Sequence, residues 1–304
     1  MQAFPSGVIP PLVTPLTVDR DVDVEALERL VNFQIDSGVH GLFALGSSGE
    51  VSFLTDVQRD TVVQTVVASA DGRVPVLVGA IDTSAARIVE QISRAADRGA
   101  DYAVTTAPFY AKINQRDILD HFRHVAGHSA LPVVAYDIPV AVHSKLAPTT
   151  VLTLAEERAI VALKDSSGVQ AQFREVVMGN RELGRPLKIF TGTEVVADAD
   201  LLIGADGIVP GLGNVDPASY VELYNLLASG QWEEGRILQD RLVHLFRIIN
   251  ADESLTGPAQ AIGAFKEAMR LRDIITTSVT AAPSTLLSEP AKKTISTIVT
   301  AHFA

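Results

Sequence analysis

The sequence predicts an α/β protein, a closed (β/α)8 barrel of the TIM-barrel class with a C-terminal helical extension. Three observations carry that expectation. Eight short apolar runs recur at fairly even intervals, at 7–16, 41–46, 75–80, 102–108, 132–139, 160–167, 187–193 and 207–214. Most are rich in Val, Ile, Ala and Leu with little alternation, the pattern of strands covered on both faces. Segments of helical spacing lie between them, so strand and helix alternate as a parallel barrel requires. The loop after the first run, Thr17-Val18-Asp19-Arg20-Asp21, has no glycine. An open doubly wound sheet would normally place a phosphate-binding turn there.

Taken in order, the first helical segment is 24–35, where Val24, Leu27, Leu30, Val31 and Ile35 fall on one face. Segments 57–68, 85–96, 116–125 and 218–227 behave similarly. Gly38, Gly99 and Gly204 stand where left-handed C-caps would end helices ahead of the next strand. Beyond the eighth run the pattern is helical at 232–249 and 259–271, then a Ser/Thr/Pro loop at 276–284 and a last helix at 289–299. No linker or low-complexity break sets this region apart. Residues 1–230 are therefore expected to form the barrel that carries the active site, and residues 231–304 a helical extension packed on it.

Composition narrows the function. The chain has 304 residues, 47% hydrophobic and 20% charged, a globular balance. A formal net charge of -11 argues against nucleic acid or an anionic membrane as partner. The absence of cysteine excludes disulfides, thiolate metal sites and a thiol nucleophile. The start, Met1-Gln2-Ala3-Phe4-Pro5, lacks a basic region followed by an apolar core, and no apolar run reaches the roughly 18 residues of a membrane span. The expectation is a soluble, cytoplasmic protein.

In a barrel the reactive groups sit at the C-terminal strand ends and the loops after them. The most informative end is Ile160-Val161-Ala162-Leu163-Lys164-Asp165-Ser166-Ser167-Gly168. Burying a lysine is costly, and apolar surroundings favour its neutral amine, a nucleophile toward carbonyl carbon. The bland alternative is a strand-end lysine paired with Asp165. Of the seven lysines only Lys164 lies in an apolar run ending in this layer. Lys188 begins the seventh run at the opposite rim, and Lys145, Lys266, Lys292 and Lys293 read as solvated charges in loops or on helices. The second run ends in Gly46-Ser47-Ser48-Gly49-Glu50, where backbone N–H groups and two hydroxyls can hold a carboxylate. The bland reading there is a turn capping the next helix. The fourth and fifth runs end in Pro108-Phe109-Tyr110 and Tyr136-Asp137-Ile138-Pro139, and the seventh in Thr191-Gly192-Thr193-Glu194. A tyrosine at a strand end either packs or relays protons.

Together Gly46-Ser47-Ser48-Gly49-Glu50, Tyr136-Asp137-Ile138-Pro139 and Leu163-Lys164-Asp165-Ser166-Ser167-Gly168 resemble the dihydrodipicolinate synthase / N-acetylneuraminate lyase family, as does the opening 7–16. The similarity runs from residue 7 to the C-terminal helices, with every motif in order. The resemblance implies Schiff-base chemistry on pyruvate or another 2-keto acid, without metal or organic cofactor, in a homotetramer or dimer. It implies that Lys164 condenses with the keto carbon, that Tyr136 shuttles protons, and that Ser47 and Ser48 hold the carboxylate. Tyr110 matches a tyrosine that reaches a neighbouring subunit's site, Phe109 stands where many members have another tyrosine, and Gly192 and Val209 match positions lining the pyruvate pocket.

Departures bear on the second substrate. Synthase members place an arginine for an aldehyde carboxylate where this chain has Ala141. Asp137 replaces the usual asparagine, an acid unsuited to an anionic substrate unless paired, while His143 and Lys145 lie close by in sequence. The Lys145-Leu146 pair resembles the lyase branch. The preferred expectation is an aldolase, lyase or dehydratase for a 2-keto-3-deoxy sugar acid or related 2-keto acid. Synthesis of 4-hydroxy-tetrahydrodipicolinate from pyruvate and aspartate semialdehyde is the alternative. A barrel that has lost catalysis and only binds or regulates is the alternative of another class. His121, His124 and His128 share helical spacing that could ligate zinc, but their helix is expected to face outward, away from the barrel mouth.

Overall fold

A computed structural model describes residues 4–304, the side chain of Pro258 excepted. Met1, Gln2 and Ala3, the start of the stretch read as lacking a leader, lie outside the described residues. The strands are β1 (Gly7–Val8), β2 (Leu42–Ala44), β3 (Val76–Gly79), β4 (Tyr102–Thr106), β5 (Val133–Asp137), β6 (Ala162–Asp165), β7 (Lys188–Thr191) and β8 (Gly207–Ile208). The helices of the barrel are α1 (Val24–Asp36), α2 (Asp56–Ala70), α3 (Ala85–Asp97), α4 (Gln115–His128), α5 (Pro139–Val142), α6 (Pro148–Glu156), α7 (Gln170–Glu182), α8 (Ala197–Ile203) and α9 (Pro217–Ala228). The C-terminal region adds α10 (Trp232–Phe246), α11 (Pro258–Leu271) and α12 (Glu289–Phe303).

All strand pairings are parallel, in the order β1-β8-β7-β6-β5-β4-β3-β2. A parallel bridge between Pro11 and Phe43 closes the ring from β1 to β2. There the Phe43 N–H donates to the Pro10 carbonyl at 3.1 Å and the Leu12 N–H to the Phe43 carbonyl at 2.8 Å. This is the (β/α)8 barrel the alternation predicts. All eight strands fall inside the expected runs, but β1 and β8 are far shorter than 7–16 and 207–214. Pro10, Pro11 and Pro210 bring no N–H to the ladder, so beyond β1 and β8 the pairing shrinks to isolated contacts such as the Pro11–Phe43 bridge.

Local chemistry sets the helix starts. Asp23, Thr55, Ser84, Asn114, Asp216 and Ser288 each accept a hydrogen bond from a first-turn N–H. Gly38, Gly99 and Gly204 take positive φ at the helix ends, as expected.

Ile9, Phe43, Leu77, Val104, Val134 and Phe190 line the barrel interior, so it is packed and not a pore. At its N-terminal end the Phe4 ring meets Tyr102 and Phe190 edge-on, with centroids 4.6 and 5.6 Å away. The C-terminal helices share this core, contributing Leu242, Leu245, Ala268, Met269 and Ile295. Gln239 donates to the Glu194 carbonyl at 3.0 Å, and the Thr277 hydroxyl to the Leu16 carbonyl at 2.6 Å. No helix among the described residues is long and apolar enough to cross a membrane.

One close approach ties β3 to the turn after β2. Leu45 takes φ +56° and folds its carbonyl over Gly79, where a Cβ would stand 1.9 Å from that oxygen. Gly79→Ala must push the two strand ends apart. It is expected to destabilise the protein by about 1–3 kcal/mol, the usual cost of overpacking. Urea unfolding would check this, and an unchanged midpoint would contradict the packing described.

Candidate active site

Strand register assembles the site. Thr106, Tyr136, Lys164 and Phe190 are successive register partners across β4, β5, β6 and β7. Side chains alternate along a strand, so these residues share one layer facing the interior, while Asp137, Asp165 and Thr191 in the next layer face the surrounding helices.

Lys164 is 6% exposed. Its Nζ lies 4.1 Å from the centre of the Tyr136 ring and 5.1 Å from that of Phe43. Among the described residues it has no carboxylate within salt-bridge distance. The pairing with Asp165 that the bland reading requires is absent, because the strand turns Asp165 outward. There its Oδ1 accepts the Ser167 N–H at 2.7 Å, and its Oδ2 lies 3.7 Å from Lys145 Nζ.

The Ser47 hydroxyl lies 3.4 Å from the Tyr136 hydroxyl. The loop holding it is a compact turn, in which the Gly49 and Glu50 N–H groups donate to the carbonyls of Gly46 and Ser47. The N–H groups of Ser47 and Ser48 have no acceptor among the described residues. The turn therefore offers two backbone N–H groups and two serine hydroxyls, a donor set that suits a carboxylate. Gly192 stands on the opposite side, where a Cβ would lie 2.0 Å from the Ser166 hydroxyl and 3.2 Å from Lys164 Cε. A bare backbone at this position leaves the lysine room. Val209 lines the interior beside Lys164. Of the expected site residues, Lys164, Tyr136, Ser47, Gly192 and Val209 thus converge, and Ser48 follows Ser47 in the same turn. Tyr110 does not join them within one chain; at φ +81° its side chain is 97% exposed.

A matching family profile, described as the dihydrodipicolinate synthetase family, spans residues 4–302. The chain belongs to this family. A 4-hydroxy-tetrahydrodipicolinate synthase from Xylella fastidiosa is 38% identical over 227 residues, 74% of either protein. An uncharacterized DapA-like lyase from Halobacterium salinarum is 32% identical over 257 residues, 84% of this chain and 83% of that protein. The structure of dihydrodipicolinate synthase from Bacteroides thetaiotaomicron superposes with a TM-score of 0.93 at 32% identity, covering 99% of this chain and all of its own, 100%. YagE, an Escherichia coli prophage protein of the dihydrodipicolinic acid synthase family seen in complex with pyruvate, superposes with a TM-score of 0.91 at 28% identity, covering 98% of each chain. Like the family it belongs to, the protein is a lyase.

Two of the lysines read as solvated are not. Lys145 spans the buried carboxylates of Asp137 and Asp165, and also donates to the Leu146 carbonyl at 3.1 Å. The other Asp137 oxygen accepts the Leu146 N–H at 3.1 Å. Burial pushes Asp137 up to about 6, against the opposing pull of Lys145. Asp137 is thus paired and turned out of the mouth, where it fixes the segment that follows β5. Lys266, on α11, is wholly buried (0% exposed) and paired with Glu50. Helical spacing placed it on a helix but could not show that the buried face of that helix meets a carboxylate from a distant loop. Lys188, at the opposite rim, pairs with Asp206 at 2.9 Å.

The histidine face is divided. His121 is buried against β4, interacting with the Thr106 backbone, and desolvation lowers it to about 4. His124 and His128 stack at 4.3 Å on the exposed side. The helix does not present all three outward, and no group of three or more metal-ligating side chains is gathered among the described residues.

Glu194 is the residue the sequence passed over, although it lies two positions beyond Gly192. Its Oε2 accepts the Leu212 N–H at 2.9 Å and the Tyr220 hydroxyl at 3.4 Å. Burial pushes it up to about 7, while these donors and the Lys164 charge oppose that rise. A carboxyl raised in the folded state binds its proton more tightly there, so its contribution weakens the fold as pH climbs from its ordinary 4.5 toward about 7. Glu194→Gln removes that titration. Its stability relative to the parent should rise by on the order of 2 kcal/mol between about pH 5 and pH 8. Urea unfolding at the two pH values is the check, and a pH-independent difference would refute the burial effect.

Proposed function

We propose that the protein is a class I, Schiff-base lyase that acts on pyruvate or another 2-keto acid through Lys164. The observation that carries this reading is a buried lysine that has no carboxylate partner among the described residues and lies beside Tyr136, whose hydroxyl meets the turn of N–H and hydroxyl donors at Ser47. Ser47 and Ser48 hold the keto-acid carboxylate, which brings the keto carbon to the Lys164 amine. Attack forms a carbinolamine, and loss of water gives the iminium. The iminium withdraws electrons from the adjacent carbon, so an enamine can form and a bond beyond it can break or be made. Tyr136, with Ser47 on its hydroxyl, carries protons to and from these centres. Gly192 and Val209 shape the pocket around the imine. No cofactor or metal has a part in these steps.

The barrel, residues 1–230, holds every one of these groups, and residues 231–304 brace it. Tyr110 projects toward a neighbouring subunit in a homotetramer (or dimer), and its exposure in the single chain supports that role.

For the second half of the reaction the preferred substrate is a 2-keto-3-deoxy sugar acid, by aldol cleavage or dehydration. The cavity next to Ser47 supports this choice, since Thr106, Phe109, Ile138 and Ala141 line it and none of its lining residues is charged. Asp137 and Lys145 neutralise one another outside it, and His143 is exposed. The second reading, condensation of pyruvate with aspartate semialdehyde, is favoured by relatives named 4-hydroxy-tetrahydrodipicolinate synthase. Ala141→Arg separates the two. It should lower turnover of the sugar acid roughly tenfold or more, by filling the cavity and adding a charge. An aspartate-semialdehyde condensation already rapid in the parent protein would favour the second reading instead.

Borohydride reduction in the presence of pyruvate, followed by peptide mass spectrometry, tests the shared first half. An adduct is expected on Lys164, and Lys164→Ala should lose turnover by a factor on the order of 10⁴ or more. An adduct on another lysine, or full turnover by Lys164→Ala, would refute the mechanism. No adduct with any 2-keto acid would favour a non-catalytic binding protein.

A further inference from the structure

The turn that carries Ser47 and Ser48 is anchored from outside the barrel. Its last residue, Glu50, is held at φ +59°, a conformation that costs a branched or long side chain strain unless its surroundings impose it. The Glu50 side chain makes no cap bond to the 3₁₀ turn it precedes, Val51–Phe53. It runs instead into the interface with the C-terminal region and is 1% exposed. One carboxylate oxygen pairs with Lys266 Nζ and the other accepts the Ala281 N–H at 2.6 Å. Lys266 completes the set by donating to the Val279 carbonyl at 2.8 Å. On the barrel side the Thr14 hydroxyl donates to the Gly49 carbonyl at 2.8 Å. The turn is thus clamped at its closing residues, while the N–H groups of Ser47 and Ser48 have no acceptor among the described residues.

A buried ion pair is a poor device for stability alone, because desolvating two charges offsets much of their attraction and an apolar pair of the same shape serves as well. What directed bonds supply, and an apolar contact does not, is a fixed orientation of the backbone that carries them. Lys266 and Glu50 stand 216 residues apart in sequence. We infer that the Glu50–Lys266 pair, with the 279–281 segment, is a positioning device through which the C-terminal extension sets the keto-acid carboxylate site at Ser47 and Ser48. The substrate part of this inference rests on the Schiff-base reading above; the ordering of the turn does not.

The test uses the full-length chain. Lys266→Met alone leaves a buried carboxylate unpaired and is expected to fold poorly. Glu50→Gln/Lys266→Met removes both charges at nearly constant shape, and Glu50→Asp keeps both but is too short to reach Lys266 and the Ala281 N–H together. In each folded variant, amide hydrogen exchange at 46–50 should speed up while exchange within α11 holds. The KM for pyruvate should rise roughly tenfold or more with kcat within about threefold, the split expected when binding geometry and not chemistry is lost. Borohydride at saturating pyruvate should still label Lys164. Parental exchange at 46–50 in either folded variant, or a parental KM, would overturn the inference. If the parent protein itself traps no 2-keto acid, the Schiff-base reading is what fails, and exchange at 46–50 alone decides whether the pair orders the turn.

Discussion

The pairing of Tyr136 with Lys164 across β5 and β6 is the constraint from which the rest of the site follows. Parallel strands in register hold equivalent residues at one height, and alternation sends each to one side or the other. With Tyr136 and Lys164 turned inward, Asp137 and Asp165 must turn outward one step later. That single choice turns Lys164 away from the acid that follows it and from the one that follows Tyr136. A slip of one residue would bring both carboxylates into the barrel and bury Lys164 among the helices. The close-packed interior under the site, from Phe43 to Phe190, makes such a slip prohibitive, because every inward apolar residue would have to move with it.

Around that pair the loops serve different ends. The turn after β2 presents donors. The bare backbone at Gly192 leaves space. The segment after β5 is fastened from outside by Lys145, so the mouth loses no room to its own anchor. Loops at a barrel rim can vary in this way only because the strands beneath them do not. Charge is handled by the same division. Asp137 and Asp165 neutralise Lys145 outside the ring, and Lys266 neutralises Glu50 beneath the turn. The site itself is left with uncommitted polar groups.

Much of this was legible in the sequence, and the boundary of legibility has a physical cause. Buried parallel strands announce themselves as unbroken apolar runs, so all eight could be placed. Lys164 stood out because a lysine inside such a run has few structural excuses. The prolines at 10, 11 and 210 were in plain view, but a run that stays buried after it leaves the ladder looks the same as one that remains in it. The environments of Lys145, Lys266 and His121 were not legible. Each sits on a segment of ordinary polarity, and the partners that enclose it, Asp137 and Asp165 for Lys145, Glu50 for Lys266 and the Thr106 backbone for His121, come from other elements that no local pattern connects. Glu194 was hidden for a related reason. Its donors come from Leu212 and Tyr220, in the next strand-end loop and the helix after it, and no local pattern connects them.

Lys164, Lys266 and the half-buried Lys145 differ more in partnership than in burial. Lys266 is the most deeply enclosed, yet the Glu50 carboxylate and the Val279 carbonyl occupy its donors, and its ammonium form is what those acceptors favour. Lys145 is shared between two acids. Lys164 faces two aromatic rings, which attract a cation through their π-faces but take no proton from it and form no directed bond to hold it still. Glu194, the acid whose charge Lys164 feels, is engaged by a backbone N–H and a phenol, and burial pushes it up to about 7. An amine so placed keeps its lone pair available whenever it is deprotonated. On the Schiff-base reading proposed above, its first firm partner is then whatever carbonyl the donors of Ser47 and Ser48 bring to it.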